Sequence, residues 1–253
     1  MRSIFASHGS PTILVEDVAW KGVLSRLGKE IKTSIDPETV VVVSPHFVSW
    51  DGVHLVEIQE KLECIQDYYG FPAELYQYCY SAQNDVKLAK DIVRRAKSEG
   101  VPVREDESWG LDHGAWIPLM YMFPEGVKAV AISITTGPIS EHLALGKAIA
   151  LASAGRRVLL LATGSPTHRL DLMYFKTPPK KSKFDSILIE ALERGDPSVL
   201  DLESRPEWNA AQPEGLLRPL YVALGASGLN GAKVIAHDVP WSGVSMLAVD
   251  LGG

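Results

Sequence analysis

The chain has 253 residues, 46% hydrophobic and 22% charged, a make-up that supports a sizeable core and excludes disordered and fibrous classes. A formal charge of -6, with an isoelectric point of about 5.7, argues against general nucleic-acid binding, which needs clustered lysine and arginine. No run of about 18 uncharged apolar residues marks a membrane span, and the N-terminal MRSIFASHGSPTILVEDVAW lacks a signal-peptide core.

Taken in chain order, β-branched apolar runs at 3–7, 39–44, 53–58, 128–134, 157–162, 233–236 and 244–249 read as strands. Helical spacing fills the intervals at 18–33, 85–99, 117–122, 140–154, 183–193 and 214–224. This alternation predicts an α/β fold: one domain over 1–253, a central mostly parallel or mixed sheet flanked by helices, and the active site at the strand C-terminal ends. In the helix at 140–154, Ser140 is the expected cap and Gly155 the expected stop. The segment 173–183, with two prolines and four lysines, reads as an exposed loop. Cys64 and Cys79 show neither CxxC spacing nor a disulfide framework, so reduced thiols and a cytoplasmic location are expected.

Four of the seven histidines stand at or just beyond a strand candidate: His8, His46, His168 and His237. Ligands bind outside the carboxyl ends of strands in open α/β sheets, so these four can face one crevice. Glycine and proline in HGSPT, SPH and TGSPTH hold the imidazoles on short, stiff turns. His54, inside a strand, and His142, in the first turn of a helix, read as packing or solvent-facing residues. His113 lies in EDESWGLDHGAW beside Asp112 and two tryptophans, where a polar donor in an aromatic-walled pocket competes with a loop histidine simply paired to Asp112.

Imidazole is the commonest side-chain metal ligand, and three protein ligands with open positions make a catalytic site. Neither HExxH nor a cysteine pair is present, so the ligands have to come from separate strand ends.

The order SHGSPT, SPHF, GLDHGAW, TGSPTH and WSGVSM, spread over nearly the whole chain, resembles the class III extradiol ring-cleavage dioxygenases of the LigB superfamily. The DODA-type branch, named after DOPA dioxygenase, is the nearest in pattern. The resemblance implies that His8 and His46 are metal ligands, that His237 is the third, that His168 is the acid and base beside the metal, and that His113 meets substrate or oxygen. It implies Fe(II) as the cofactor, with Zn(II) able to occupy the site in purified protein. It also implies a small catechol-like substrate and O2 as partners, with no nucleic acid or membrane, and leaves homo-oligomerisation open. DYYGFP is similar to the family's YDFYGFP segment, so Tyr69 and Phe71, with Trp109 and Trp241, are the expected pocket walls, alongside Tyr68 and Trp116.

Two departures stand out. AAQPEGLLRPL lacks the His-Pro and Glu-His pattern of many relatives, which puts substrate preference in doubt, and THRL places Arg169 where an amide is usual. Arg169 is expected to face solvent rather than a substrate carboxylate. Beside the dioxygenase stand two other readings: a Memo-like metal- or peptide-binding scaffold, and a zinc hydrolase with Glu74, Asp112 or Glu214 as base.

Overall fold

The structure, a computed structural model, describes residues 1–174 and 178–253. Strands and helices follow as β1 Arg2–Ala6, α1 Trp20–Ser34, β2 Thr39–Ser49, β3 His54–Glu57, β4 Lys61–Leu62, β5 Ala82–Gln83, α2 Val86–Ser98, β6 Val103–Asp106, α3 His113–Met122 and β7 Lys128–Thr135. The second half contains α4 Ile139–Ala152, β8 Val158–Ala162, α5 Leu170–Tyr174, α6 Lys183–Arg194, α7 Pro206–Ala211, α8 Arg218–Ser227, β9 Lys233–Trp241 and β10 Val244–Gly252. The loop expected at 173–183 lies partly outside the described residues.

Among the described residues, eight strands form one mixed sheet in the order β6-β3-β7-β2-β8-β1-β10-β9. The centre is parallel: β2 runs alongside both β7 and β8, and β8 alongside β1. On one flank β10 is antiparallel to β1 and β9 to β10; on the other, β3 is antiparallel to β7. The sheet is an α/β one with helices on both faces, and β2 shows how the sequence produces this. Side chains alternate across a strand, so Val40 and Val42 join Trp20, Leu24 and Trp116 on one face while Val41 and Val43 join Leu88, Leu145 and Leu220 on the other. Apolar residues on both faces explain the unbroken VVVV run.

Several boundaries differ from the sequence expectation for identifiable reasons. Ser140 lies inside α4, whose N-cap is Pro138, and the helix ends at a Ser153 cap before Gly155. Helix α3 begins at His113, four residues before its expected start, because Asp112 caps it by accepting from Ala115 N at 3.1 Å. It is buried on nearly every side, which leaves no polar face to give a periodic signal. The expectation of reduced cysteines is corrected: Cys64 and Cys79 form a disulfide, their Cα atoms 5.8 Å apart. The two-residue hairpin β4–β5 just outside the pair brings them together, Leu62 opposite Ala82, a contact too short to register as strand periodicity. No helix among the described residues is long and apolar enough to cross a membrane.

Candidate metal centre

Three adjacent parallel strands, β2, β8 and β1, end at one rim of the sheet, and each delivers a histidine there. His8 follows β1 by one turn residue, His46 lies in β2 where the register with β7 shifts between Val43 and Val48, and His168 follows β8 on the TGSPTH turn. His113 joins them from the first turn of α3, and Glu214 from the 3-10 turn Glu214–Leu217. All five line a cavity of about 160 Å³ that is walled also by Pro11, Tyr68, Phe71, Leu170 and Val244.

The polar atoms converge tightly. Ring nitrogens of His8, His46 and His113 lie within 4.8 Å of one another. His8 Nε2 and His46 Nε2 are 3.3 Å apart, and Glu214 Oε1 lies 3.5 Å from the first and 3.2 Å from the second. His168 Nε2 approaches the same oxygen at 3.6 Å.

Asp67 fixes the tautomers. Its Oδ2 faces His46 Nδ1 at 3.2 Å, and its Oδ1 accepts from both the backbone N–H of His113 at 2.8 Å and His113 Nδ1 at 2.9 Å. With Nδ1 engaged on both rings, each turns Nε2 into the cavity, the arrangement by which outer carboxylates orient metal-binding histidines.

The motif around His113 now has a physical account. Asp112 Oδ1 accepts from Ser44 Oγ at 2.5 Å and Oδ2 from Trp109 Nε1 at 3.2 Å, locking the start of α3 onto β2. A Cβ at Gly114 would come within 2.5 Å of Ser44 Oγ and 2.8 Å of the His46 ring, so only glycine permits this approach. WSGVSM plays the corresponding part for His168: Thr167 N donates to Ser245 Oγ at 3.0 Å, and His168 itself bridges to Val244.

The electrostatics are those of a site that gathers charge. Burial opposes protonation of His46, but the hydrogen bonds to Asp67 and Glu214 outweigh it and hold the imidazole well above its ordinary pKa. Burial and the neighbouring His46 charge push His113 down to about 4. Burial would raise the Glu214 carboxyl, yet the His8 and His168 charges hold it well below the usual carboxylate range.

A divalent cation fits this donor set. Two nitrogens bound to one tetrahedral ion at about 2.0–2.1 Å lie about 3.3 Å apart, which is the His8–His46 separation. Glu214 Oε2 and His8 Nδ1 are buried without a hydrogen-bond partner among the described residues, so the carboxylate is left with charge for a cation to balance.

The structure does not bring His237 to this group. Strand β9 continues to Trp241, five residues past the expected end of its apolar run, so His237 sits mid-strand opposite Leu247 instead of at the rim. Its Nε2 bonds the buried Asp185 at 3.0 Å, and Asp185 also accepts from Thr167 Oγ1 at 2.7 Å. Of the expected pocket walls, Phe71 lines the cavity; Tyr69 does not, being 87% exposed. Trp109 stacks on Phe47 at 5.4 Å, and Trp241 donates to Glu16 at 2.7 Å, so both stand behind the lining. Arg169 pairs with Asp171 through two contacts of 2.7 and 2.6 Å and stays outside the cavity. His54 and His142 bond backbone carbonyls of Ser133 and Pro138, away from the site.

Sequence reasoning missed Asp67 as a site residue and considered Glu214 only as the base of a hydrolase, not as a partner of the histidines. Asp67 opens DYYGFP, which drew notice only for its aromatics, and Glu214 stands in AAQPEGLLRPL, where the absence of histidines hid the carboxylate.

A mixed α/β sheet with imidazoles and a carboxylate converging at the carboxyl ends of its parallel strands defines an α/β scaffold whose site could hold a metal ion. Residues 2–252 match the family described as the catalytic LigB subunit of aromatic ring-opening dioxygenase, and the chain belongs to that family. The chain is 34% identical to a 4,5-DOPA dioxygenase extradiol of Beta vulgaris, over 95% of this chain and 92% of that one. It is 30% identical to the protein of the same name from Escherichia coli K12, over 100% and 95%. A crystal structure of an uncharacterized protein from Escherichia coli K12 superposes with a TM-score of 0.77 at 22% identity, covering 99% of each chain, which is a likeness of fold.

Proposed function

We propose that this chain is a non-haem Fe(II)-dependent extradiol dioxygenase that opens a catechol-type ring with O2, and that His8, His46 and Glu214 hold the metal. The observation carrying this reading is the triangle His8 Nε2, His46 Nε2 and Glu214 Oε1, with sides of 3.3, 3.5 and 3.2 Å. Two histidines and a carboxylate on one face leave the adjacent positions open, the donor set of oxygen-activating ferrous enzymes. Glu214 thereby takes the place given to His237 by the sequence resemblance. It also loses the role of hydrolytic base, because its inward oxygen belongs to the donor triangle.

A bound divalent ion supplies Lewis acidity and a template for the diol and oxygen. The chain's own residues do the rest. Tyr68 and Phe71 on one side, with Pro11, Leu170 and Val244, give a planar ring an apolar slot and keep water from it. His168 Nε2, 3.6 Å from Glu214 Oε1, is placed to take a proton from a diol hydroxyl and return it later. His113, kept neutral by burial and held at Nδ1 by Asp67, presents Nε2 to the cavity beside His46.

The test is anaerobic reconstitution with Fe(II), then addition of DOPA and simpler catechols in air while following a yellow ring-fission product. The wild type is expected to turn over at least one diol. His168→Ala is expected to keep its metal and lose most of its rate, since general acid–base groups contribute about 10²–10⁴-fold. Tight metal binding with no colour from any diol would leave the scaffold reading instead.

A further inference from the structure

Asp67 reaches both cavity histidines from a loop whose ends are tied by the Cys64–Cys79 disulfide, and the tie is within reach of solvent, Cys79 being exposed and Cys64 half-buried. The loop is bonded mostly to itself. Gln66 Nε2 donates to the carbonyls of Tyr76 and Tyr78 at 2.9 and 2.8 Å, Tyr68 OH to Leu75 O at 3.0 Å, and Tyr76 OH to Tyr68 O at 3.0 Å. Its hydrogen bonds to the rest of the chain include Ile65 N on Leu111 O at 2.7 Å and Trp116 Nε1 on Ile65 O at 3.0 Å, both next to Cys64 and at the Asp67 end, while Tyr68 and Leu75 are buried in the core. At the far end the disulfide ties residue 79 back to this root covalently, next to the Cys64 N–Ser81 Oγ hydrogen bond of 3.2 Å, the Leu62–Ala82 pair and the Tyr80 OH–Phe123 O bond of 3.1 Å, which hold the residues that follow. Asp67 stands three residues beyond Cys64, and every contact it makes outside the loop goes to His46 or His113.

We infer that Asp67 is a positioning residue for the metal site and that the Cys64–Cys79 disulfide is its clamp, so that reduction of this bond weakens metal binding. The inference rests on the metal reading above. In the switching step a dithiol reductant supplies two electrons and two protons; the S–S bond breaks, two thiols form, and the reductant leaves as its own disulfide. The freed loop keeps its root on Leu111 and Trp116 and the contacts of Ser81 and Ala82, but loses the covalent tie between its ends, so the Asp67 carboxylate spends less time on the two Nδ1–H groups. Both rings then lose the partner that aims Nε2 inward. Outer carboxylates of this kind typically change metal affinity about 10–100-fold, and a loosened partner belongs at the lower end of that range.

Apo protein titrated with Co(II) alone, oxidised or reduced and desalted under argon, tests this. Reduction is expected to weaken Co(II) binding roughly tenfold, as is the Cys64→Ser/Cys79→Ser variant, with the fold checked by circular dichroism. Asp67→Asn is expected to weaken binding at least as much and to make it indifferent to reduction. Equal affinity of the oxidised and reduced wild type, or the same loss on reduction in Asp67→Asn, would overturn the clamp. A second readout needs no metal: proton NMR of the apo protein is expected to show hydrogen-bonded imidazole Nδ1–H signals for His46 and His113 that fade on reduction. If the oxidised wild type binds no Co(II), the metal reading fails, and the clamp still stands or falls on those signals, which must change for it to survive.

Discussion

Glu57, at the end of β3, is fully buried, and burial together with the adjacent Asp106 carboxylate pushes its pKa up to about 8. It accepts from Trp109 N at 3.1 Å and from Gln59 Nε2 at 2.6 Å, so it pins the segment that leads to Asp112 and His113. The folded pKa exceeds the unfolded value of 4.5, so the native state holds more protons between the two. Stability from this group is therefore complete below about pH 4.5 and declines as pH rises through about 8. Glu57→Gln, which mimics the protonated acid, is expected to flatten that decline. Melting curves from pH 5 to 9 check it, and a wild-type decline left unchanged in the variant would show that Glu57 is not its source. At this same scale two rings that share the Asp67 carboxylate have opposite tendencies: His46 is drawn toward the charged form by Asp67 and Glu214, and His113 is kept neutral by burial and by His46.

The turn that presents Glu214 is a strained element. Gly215, Leu216 and Leu217 all have positive φ, at 55, 53 and 54°, and for the two leucines this conformation costs roughly 1–2 kcal/mol each. Strain of this kind persists where the surroundings over-determine it, and here it aims a buried carboxylate between two imidazoles. A Cβ on Gly215 would meet Pro45 Cβ at 2.7 Å, and Pro45 immediately precedes His46. Gly215→Ala is therefore expected to destabilise the fold by about 1–3 kcal/mol and to weaken metal binding by displacing Glu214, His46 or both. Urea unfolding and Co(II) titration of the variant measure the two effects separately. An unaltered midpoint and affinity would mean that the turn relaxes freely and that its conformation is not needed.

Across the whole molecule, the centre joins elements remote in sequence, so an ion bound there would stabilise the fold as the fold holds the ion. A metal at 100 times its dissociation constant adds about 2.7 kcal/mol, which for a domain of this size raises the melting temperature by several degrees. Zn(II) is expected to give this rise in the wild type and none in Glu214→Gln. His237→Ala separates the two assignments for the third ligand: it is expected to retain the metal-dependent rise. Its metal-free melting temperature falls, because the buried Asp185 loses a partner, at a cost toward the lower end of about 3–5 kcal/mol. Loss of the metal effect in His237→Ala with its retention in Glu214→Gln would restore the histidine and remove the carboxylate.

Local chemistry written along the chain determined much of this protein. The VVVV and VLLLA runs, the helical spacing of α2 and the stiff HGSPT, SPH and TGSPTH turns specify strands, helices and rim by residue-to-neighbour forces, so the α/β class and the gathering of His8, His46 and His168 were legible. Tertiary structure alone decided which side chains complete the cluster. That outcome depends on strand register and on turns in unusual backbone conformations: β9 runs past His237 and leaves it with Asp185, three left-handed residues turn Glu214 inward, and a short hairpin brings Cys64 to Cys79 around Asp67. Periodicity reports which face a residue takes within its own element, whereas the meeting of atoms from five separate segments is fixed only once the whole chain has packed.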